Sequence, residues 1–178
     1  MPKLYTIGHS TRTLNEFMAI LHGYNITHLV DIRTIPKSRH VPWFNENKLK
    51  PALPKEGISY IHMLELGGLR HAHKDSINQG WHNASFRGFA DYMQTPEFYS
   101  GLKKLNQMLK KDGNVAIMCA EAVPWRCHRS LIADAEIVHG ISVFHIMSQT
   151  NAYAHKLTSF AVVDKKKRPI KVYYPLVK

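Results

Sequence analysis

The stretch NVAIMCAEAVPWRCHRSLIADAEIVHG, Asn114 to Gly140, runs from an apolar segment into Cys119, Glu121, Arg126, Cys127, His128 and Arg129. The pattern predicts a buried strand, a loop and then a helix from Arg126 to His139, with Gly140 as its stop signal. The free N–H groups at the start of that helix would point at the loop, where they attract anions and lower thiol pKa values. Arg126 and Arg129 are three residues apart and share a face, which adds positive charge. Cys119 is thereby placed as the nucleophile of an anion-binding loop, and a cysteine with a carboxylate suits attack coupled to proton transfer. A phosphatase is disfavoured. Six residues separate Cys119 from Arg126 rather than the five of phosphatase loops, and Glu121 would repel a bound phosphate.

Cys127 reads differently. With Leu131, Ala135 and Val138 it falls on one apolar stripe, as a small packed hydrophobe does. Cys119 is therefore expected to be the more reactive thiol and Cys127 the more buried one. No cofactor is expected. A zinc set could be drawn from Cys119, Cys127 and His128 with His9 or Asp31, but no C-x-x-C or H-E-x-x-H spacing supports it.

The elements that position these groups alternate between strand and helix. KLYTIG (Lys3 to Gly8) reads as a strand, and TLNEFMAILHGY as a helix opened by a Thr13/Glu16 capping box. THLVDIR (Thr27 to Arg33) is a second strand. A short helix from Asn45 to Leu53 is stopped by Pro54, and GISYIHM is a third strand. Gly67 to Asn83 has no apolar period, and a polar loop of that length is expected to be a mobile lid. Helices follow at Phe86 to Met93 and Pro96 to Lys111; then come strands NVAIMC and ISVFHI, and a tail that adds a hairpin at the sheet edge. Strands alternating with helices predict an α/β fold: a single three-layer domain, 1–178, with a mainly parallel sheet flanked by helices and a basic C-terminal segment from about Asp164.

Ligands of such sheets bind outside the carboxyl ends of the strands. Those ends carry Gly8-His9-Ser10, Asp31-Ile32-Arg33, His62, Cys119-Ala120-Glu121 and His145. The expectation is that Gly8, Asp31, Cys119 and Glu121 surround one concave pocket. Cys119, Glu121, His9 and Asp31 form the catalytic set, with His9 as proton shuttle. Gly8, Ser10 and the arginines Arg33, Arg126 and Arg129 stand on the substrate side.

The 24 Lys and Arg against 13 Asp and Glu leave a net charge of +11, with 12 His in addition. That surplus favours an anionic small molecule or nucleic acid as partner. The apolar runs are too short for a membrane span, the N-terminus lacks the apolar stretch of a secretory signal, and two cysteines make no disulfide framework. A reducing cytoplasm is the expected location, and the oligomeric state is left open.

The segments TIGHST, VDIRTIPKSRHVPWFN, GISYIHMLELGG, FRGFADYMQTPEF and MCAEAVPWRCHRSLIA, from Thr6 to Ala133, together resemble domain-of-unknown-function family 488. The resemblance implies a small α/β domain without a settled reaction. Its motif positions fall here on Gly8, His9, Ser10, Asp31, Arg33, Pro36, Ser38, Gly67, Gly68, Cys119, Glu121, Cys127, His128 and Arg129. Ser38 and His128 join the substrate-binding set on that ground. VDIR also resembles the early strand of rhodanese domains over a few residues, which implies a sulfur carried on Cys119.

Three functions follow as expectations. The first is an enzyme, a hydrolase or transferase acting on a nucleotide or nucleic-acid component. The second is a nucleic-acid-binding module without catalysis, stacking bases on Trp43, Phe44 and Trp81. The third is a rhodanese-like sulfur carrier.

Overall fold

The structure is a computed structural model that describes residues 2–111 and 113–177. Met1 and Lys178, the ends of the expected domain, lie outside the described residues, as does Asp112. Five strands lie parallel in the order β3-β2-β4-β1-β5: Lys3–Gly8 (β1), Ile26–Asp31 (β2), Ser59–His62 (β3), Asn114–Cys119 (β4) and Ser142–Ile146 (β5). Ala152–Ala154 (β6) pairs antiparallel with β5 and takes the edge.

Side chains alternate across the sheet with a period of two, and this divides the core. Leu4, Val30, Ile32, Val115, Ile117, Cys119 and Val143 point to one face, where Ala84–Tyr92 (α3), Pro96–Lys111 (α4) and Arg129–Val138 (α5) pack. Ile7, Leu29, Ala116, Met118 and Ile146 point to the other, under Leu14–Gly23 (α1) and Glu46–Lys55 (α2). The result is the expected three-layer α/β domain, with strands apolar on both faces as a parallel sheet requires. Among the described residues no helix is long and apolar enough to cross a membrane.

The helix starts follow local chemistry. Thr13 and Glu16 form the capping box that their spacing predicts, and the Asn83 side chain accepts the N–H groups of Ser85 and Phe86 to open α3. Elsewhere the structure corrects the sequence reading. Helix α2 does not stop at Pro54 but runs to Lys55 with Pro51 and Pro54 inside it. Both prolines are exposed, and the burial of Leu49 and Leu53 holds the helix despite its missing N–H groups. The helix expected from Arg126 is in two pieces. Pro124–Arg126 is a short 3-10 turn, and α5 begins only at Arg129.

The tail does form a hairpin, Val162–Asp164 (β7) with Lys171–Tyr173 (β8), but as a separate two-stranded sheet rather than at the edge of the main one. The basic residues Lys165 to Arg168 lie exposed between its strands. Residues 67–83 are not a free lid. Buried Asp91 accepts His73 N at 2.8 Å, Ser76 Oγ at 2.6 Å and Asn78 Nδ2 at 2.7 Å. Asn78 in turn accepts Tyr174 N at 2.8 Å, which ties the loop to the tail.

Glu136 on α5 is fully buried, and neither of its carboxyl oxygens has a hydrogen-bond partner. Burial pushes its pKa up to about 8. Neighbouring Asn106 opposes that shift without overcoming it. The folded chain therefore binds more protons here than the unfolded chain between about 4.5 and 8, and stability falls as pH rises through that window. Glu136→Gln should stabilise the protein by roughly 4 kcal/mol at about pH 8 and by almost nothing at about pH 4. Denaturant titrations at the two pH values measure this; equal effects at both would refute it.

Candidate active site

A cavity of about 350 Å³ opens at the carboxyl ends of β1, β2 and β4, within the range of small-ligand sites. Cys119, Cys127 and His128 form its floor, and His9 and Arg33 one wall. Lys37, Ser38, Glu121 and Arg126 add polar groups, while Ile35, Leu69, Phe86 and Phe89 add apolar surface.

Beneath the floor lies Arg129, fully buried on the α5 side of the sheet. Its Nη1 donates to Cys119 Sγ at 2.6 Å and to the Glu121 carbonyl at 2.5 Å. Its Nη2 donates to the Ala122 carbonyl at 3.0 Å, and its Nε to Thr6 Oγ1 at 3.2 Å. No carboxylate among the described residues forms an ion pair with it. A buried charge left unpaired is costly, so this guanidinium favours an anion at the one acidic group it touches, the thiol pair. Gly8 makes the arrangement sterically feasible. A Cβ there would stand 1.7 Å from the Glu121 carbonyl oxygen and 3.0 Å from Arg129 Nη1.

The two sulfurs are 2.7 Å apart. Cys127 Sγ also accepts the backbone N–H of Arg129, the first residue of α5, at 3.4 Å. Burial opposes ionisation of both thiols and drives the pKa of Cys119 well up. At Cys127 burial is outweighed by the hydrogen bond with Cys119 and by the charge and N–H groups of Arg129, and its pKa falls to about 7. Beside Arg129, the two sulfurs are close enough to share one negative charge through a hydrogen bond. The expected contrast in burial between the two cysteines is absent. Cys127 precedes α5 rather than lying on its apolar stripe, and Cys119 is no more exposed than Cys127, at 3% against 6%.

His128 faces this pair. Its Nε2 lies 3.1 Å from the carbonyls of both Ile32 and Leu66, which only accept, so Nε2 carries the hydrogen. Its Nδ1 is left as a bare acceptor 3.7 Å from Cys127 Sγ. Burial lowers its pKa. The sequence reading placed His128 among substrate-binding residues; it lines the cavity with its Nδ1 lone pair beside Cys127 Sγ.

His9 has the opposite fate. Its Nδ1 donates to the Ser10 carbonyl at 2.9 Å, and its Nε2 accepts from Arg33 Nη1 at 3.2 Å. The ring stacks on Phe44, and burial lowers its pKa to about 4. Both nitrogens are engaged, so His9 holds Arg33 rather than shuttling protons. Asp31 is fully buried below the cavity. It is gripped by Arg33 at 2.9 and 2.7 Å and by Tyr60 Oη at 2.6 Å. Gly8 and Asp31 are thus both absent from the lining, and the expectation that they would surround the pocket with Cys119 and Glu121 fails for these two. Gly8 is covered by the Glu121 carbonyl and Arg129; for Asp31 the reason is the pleat. Asp31 is in register with Met118 and shares its face, toward α1 and α2, while Cys119 points to the other.

Ser10 also lies outside the lining; its backbone N–H donates to the Ala120 carbonyl. Ser38 and Arg126 do line the cavity, and the Ser38 hydroxyl accepts the N–H groups of His40 and Val41. Of the expected lid only Gly68 and Leu69 reach the cavity. The zinc set is not assembled, because Asp31 is committed to Arg33 and Nε2 of His128 to two carbonyls. Among the described residues no three His, Cys, Asp or Glu side chains are grouped to hold an ion. Sequence reasoning missed Lys37, Phe86 and Phe89 as cavity residues; nothing in their spacing marks them, since folding alone brings α3 to this rim.

No curated protein and no solved structure matches the chain. A family model does, that of "Domain of unknown function DUF488", over residues 13–136. The match spans most of the chain, from the cap of α1 through the cysteine loop into α5, and the chain belongs to that family.

Proposed function

We propose that this cavity is the active site of a thiolate-dependent enzyme in which Cys127, rather than Cys119, attacks a small anionic substrate. The observation that supports it most is the fully buried Arg129, which pairs with no carboxylate among the described residues and meets Cys119 Sγ with its guanidinium and Cys127 Sγ with its backbone N–H. His128 Nδ1 takes the proton of Cys127. The sulfur lone pair forms a bond to an electrophilic atom of the substrate. The bond to the leaving group breaks, and that group departs with the electron pair and the proton held by His128. Cys119 donates its hydrogen to the thiolate and keeps it ionised before attack. Glu121, exposed at the mouth, is placed to take a proton from a water molecule that then releases the bound group.

Lys37 and Arg126 supply charge for an anionic part of the substrate, and Phe86, Phe89, Ile35 and Leu69 supply apolar cover for the rest. A nucleotide or a nucleic-acid component combines those two properties. One observation favours a second reading, a sulfur carrier. The second thiol stands within reach of the first. A persulfide on Cys127 could be attacked at its inner sulfur by Cys119, releasing hydrogen sulfide and leaving a disulfide that an external thiol reductant reopens.

Alkylation of the native protein with iodoacetamide should label Cys127 before Cys119, as read by peptide mass spectrometry. The rate should rise with pH through a midpoint at about 7. Arg129→Met should move that midpoint up by about one pH unit or more, since it removes the cation that favours the thiolate. First labelling at Cys119, or a midpoint in the range of a free thiol, would reject Cys127 as the nucleophile.

In a turnover screen over nucleosides, nucleotides and short oligonucleotides, Cys127→Ser should lower the rate by at least about a thousandfold, and His128→Ala by roughly a hundredfold. Salt-dependent nucleic-acid binding that survives Cys127→Ser and Glu121→Ala, with no turnover in the screen, would instead favour the binding module. Gain of one sulfur atom on Cys127 after incubation with thiosulfate would favour the carrier.

A further inference from the structure

A chain of side chains leads away from Arg129 toward a second cavity of about 270 Å³, lined in part by His145, His155, Tyr153 and Trp125. Arg129 Nε lies 3.2 Å from Thr6 Oγ1, and Thr6 Oγ1 lies 2.6 Å from His145 Nδ1. His145 Nε2 lies 2.8 Å from His155 Nδ1, and His155 Nε2 lies 2.7 Å from Asp134 Oδ1. Thr6, Arg129 and Asp134 are fully buried, and His145 is nearly so. None of these contacts enters the reaction proposed above.

One assignment runs the whole chain in a single direction. A guanidinium only donates, so the Thr6 oxygen accepts from Arg129 and its own hydrogen goes to His145 Nδ1. His145 must then carry its hydrogen on Nε2 and donate it to His155 Nδ1. His155 carries its hydrogen on Nε2 and donates it to Asp134, a carboxylate that only accepts. Both rings satisfy the chain as neutral Nε2–H tautomers. Charging His155 would set its Nδ1 hydrogen against that of His145 Nε2. Burial, which lowers the pKa of His145 to about 3, keeps that ring neutral. Asp134 is anchored at the far end by Thr158 N at 3.0 Å and by Tyr174 Oη at 2.7 Å.

We infer that Asp134, His155, His145 and Thr6 are positioning residues for the thiolate, a one-way hydrogen-bond chain through which a remote carboxylate shares the charge of Arg129 with the thiol pair. The inference rests on the reading of Cys127 as a thiolate. Arg129 stands between two anions. The more of its charge Asp134 engages, the less acts on the sulfurs, so the chain sets thiol acidity without touching substrate. Other ionisable groups also face these sites. His128 lies against the thiols, and Arg33, Lys37, Glu121 and Arg126 surround them in the pocket. Tyr153 packs on His145, Tyr174 on Asp134, and Lys156 lines the second cavity.

The test is the pH dependence of Cys127 alkylation in Asp134→Asn, which keeps the acceptor for His155 and removes the charge. The midpoint should move down by roughly half to one pH unit from the wild-type value. On a Thr6→Val background, where the chain is cut, most of that shift should vanish. An unmoved midpoint, or an equal shift with Thr6→Val present, overturns the inference. A wild-type protein with no midpoint below the free-thiol range would instead sink the thiolate reading. In that case, or if Asp134→Asn does not fold, nitrogen-15 spectra of the wild-type imidazoles decide whether the chain exists. His145 and His155 should both be neutral and protonated at Nε2 around neutral pH; an Nδ1-protonated ring at either position overturns it.

Discussion

The site is organised around a cation with nowhere to go. Arg129 carries a charge that cannot be removed at any ordinary pH, and the fold places it where no water reaches it. Each neighbouring element answers that constraint. Strand β1 offers Thr6 as an acceptor and, two residues on, Gly8 as a gap through which the cysteine loop passes. The loop turns the carbonyls of Glu121 and Ala122 inward. Four neutral or weakly acidic acceptors solvate a guanidinium poorly compared with a carboxylate. What they leave uncompensated is available to stabilise negative charge on sulfur. A carboxylate in the place of Cys119 would neutralise the arginine and end its effect on Cys127.

The consecutive residues Cys127, His128 and Arg129 serve three different purposes because the chain turns at that point. Cys127 is extended, with φ −135° and ψ 145°, and His128 is already helical, with φ −59° and ψ −15°. The change sends the Cys127 sulfur back over the first N–H of α5, the imidazole toward the carbonyls of Ile32 and Leu66, and the guanidinium under the sheet. A regular helix through these residues would fan the three side chains around its axis. The short turn at Pro124–Arg126 prevents that, since it spends the residues that would otherwise begin the helix. Pro124 opens the turn, where its missing N–H costs nothing.

The same break explains what could be read from the sequence and what could not. Strand and helix order, the parallel sheet, the Thr13 cap and the concentration of chemistry at one rim all follow from periodicity and local spacing. Cys127 was misplaced because an apolar stripe continuing from Leu131, Ala135 and Val138 is legible in sequence, whereas the point at which the helix starts is not. Asp31 was misplaced for a different reason that was within reach. Val30 and Ile32 alternate with Leu29 and Asp31, so counting by twos already puts Asp31 on the face opposite Ile32. The roles of His9 and His128 could not be told apart in sequence. Each is set by the carbonyls and guanidinium that folding brings to its two nitrogens, from residues as distant as Ile32 and Leu66.

The contrast between those two histidines shows how the fold assigns chemistry. His9 is buried and His128 half-buried, and burial lowers the pKa of both, so neither is made a base by its affinity for protons. The difference lies in which lone pair is left over. At His9 the Nε2 lone pair is taken by Arg33, a donor that is never deprotonated and never leaves its bond with Asp31. At His128 the hydrogen is committed to two carbonyls, and the lone pair faces the Cys127 sulfur. Proton transfer needs an acceptor whose other contacts tolerate the new charge, and two carbonyls on Nε2–H become stronger partners when the ring is protonated. Arg33 beside His9 would become a repulsive one. The direction of a few buried hydrogen bonds, rather than the presence of histidine at the rim, therefore decides which ring can work with Cys127.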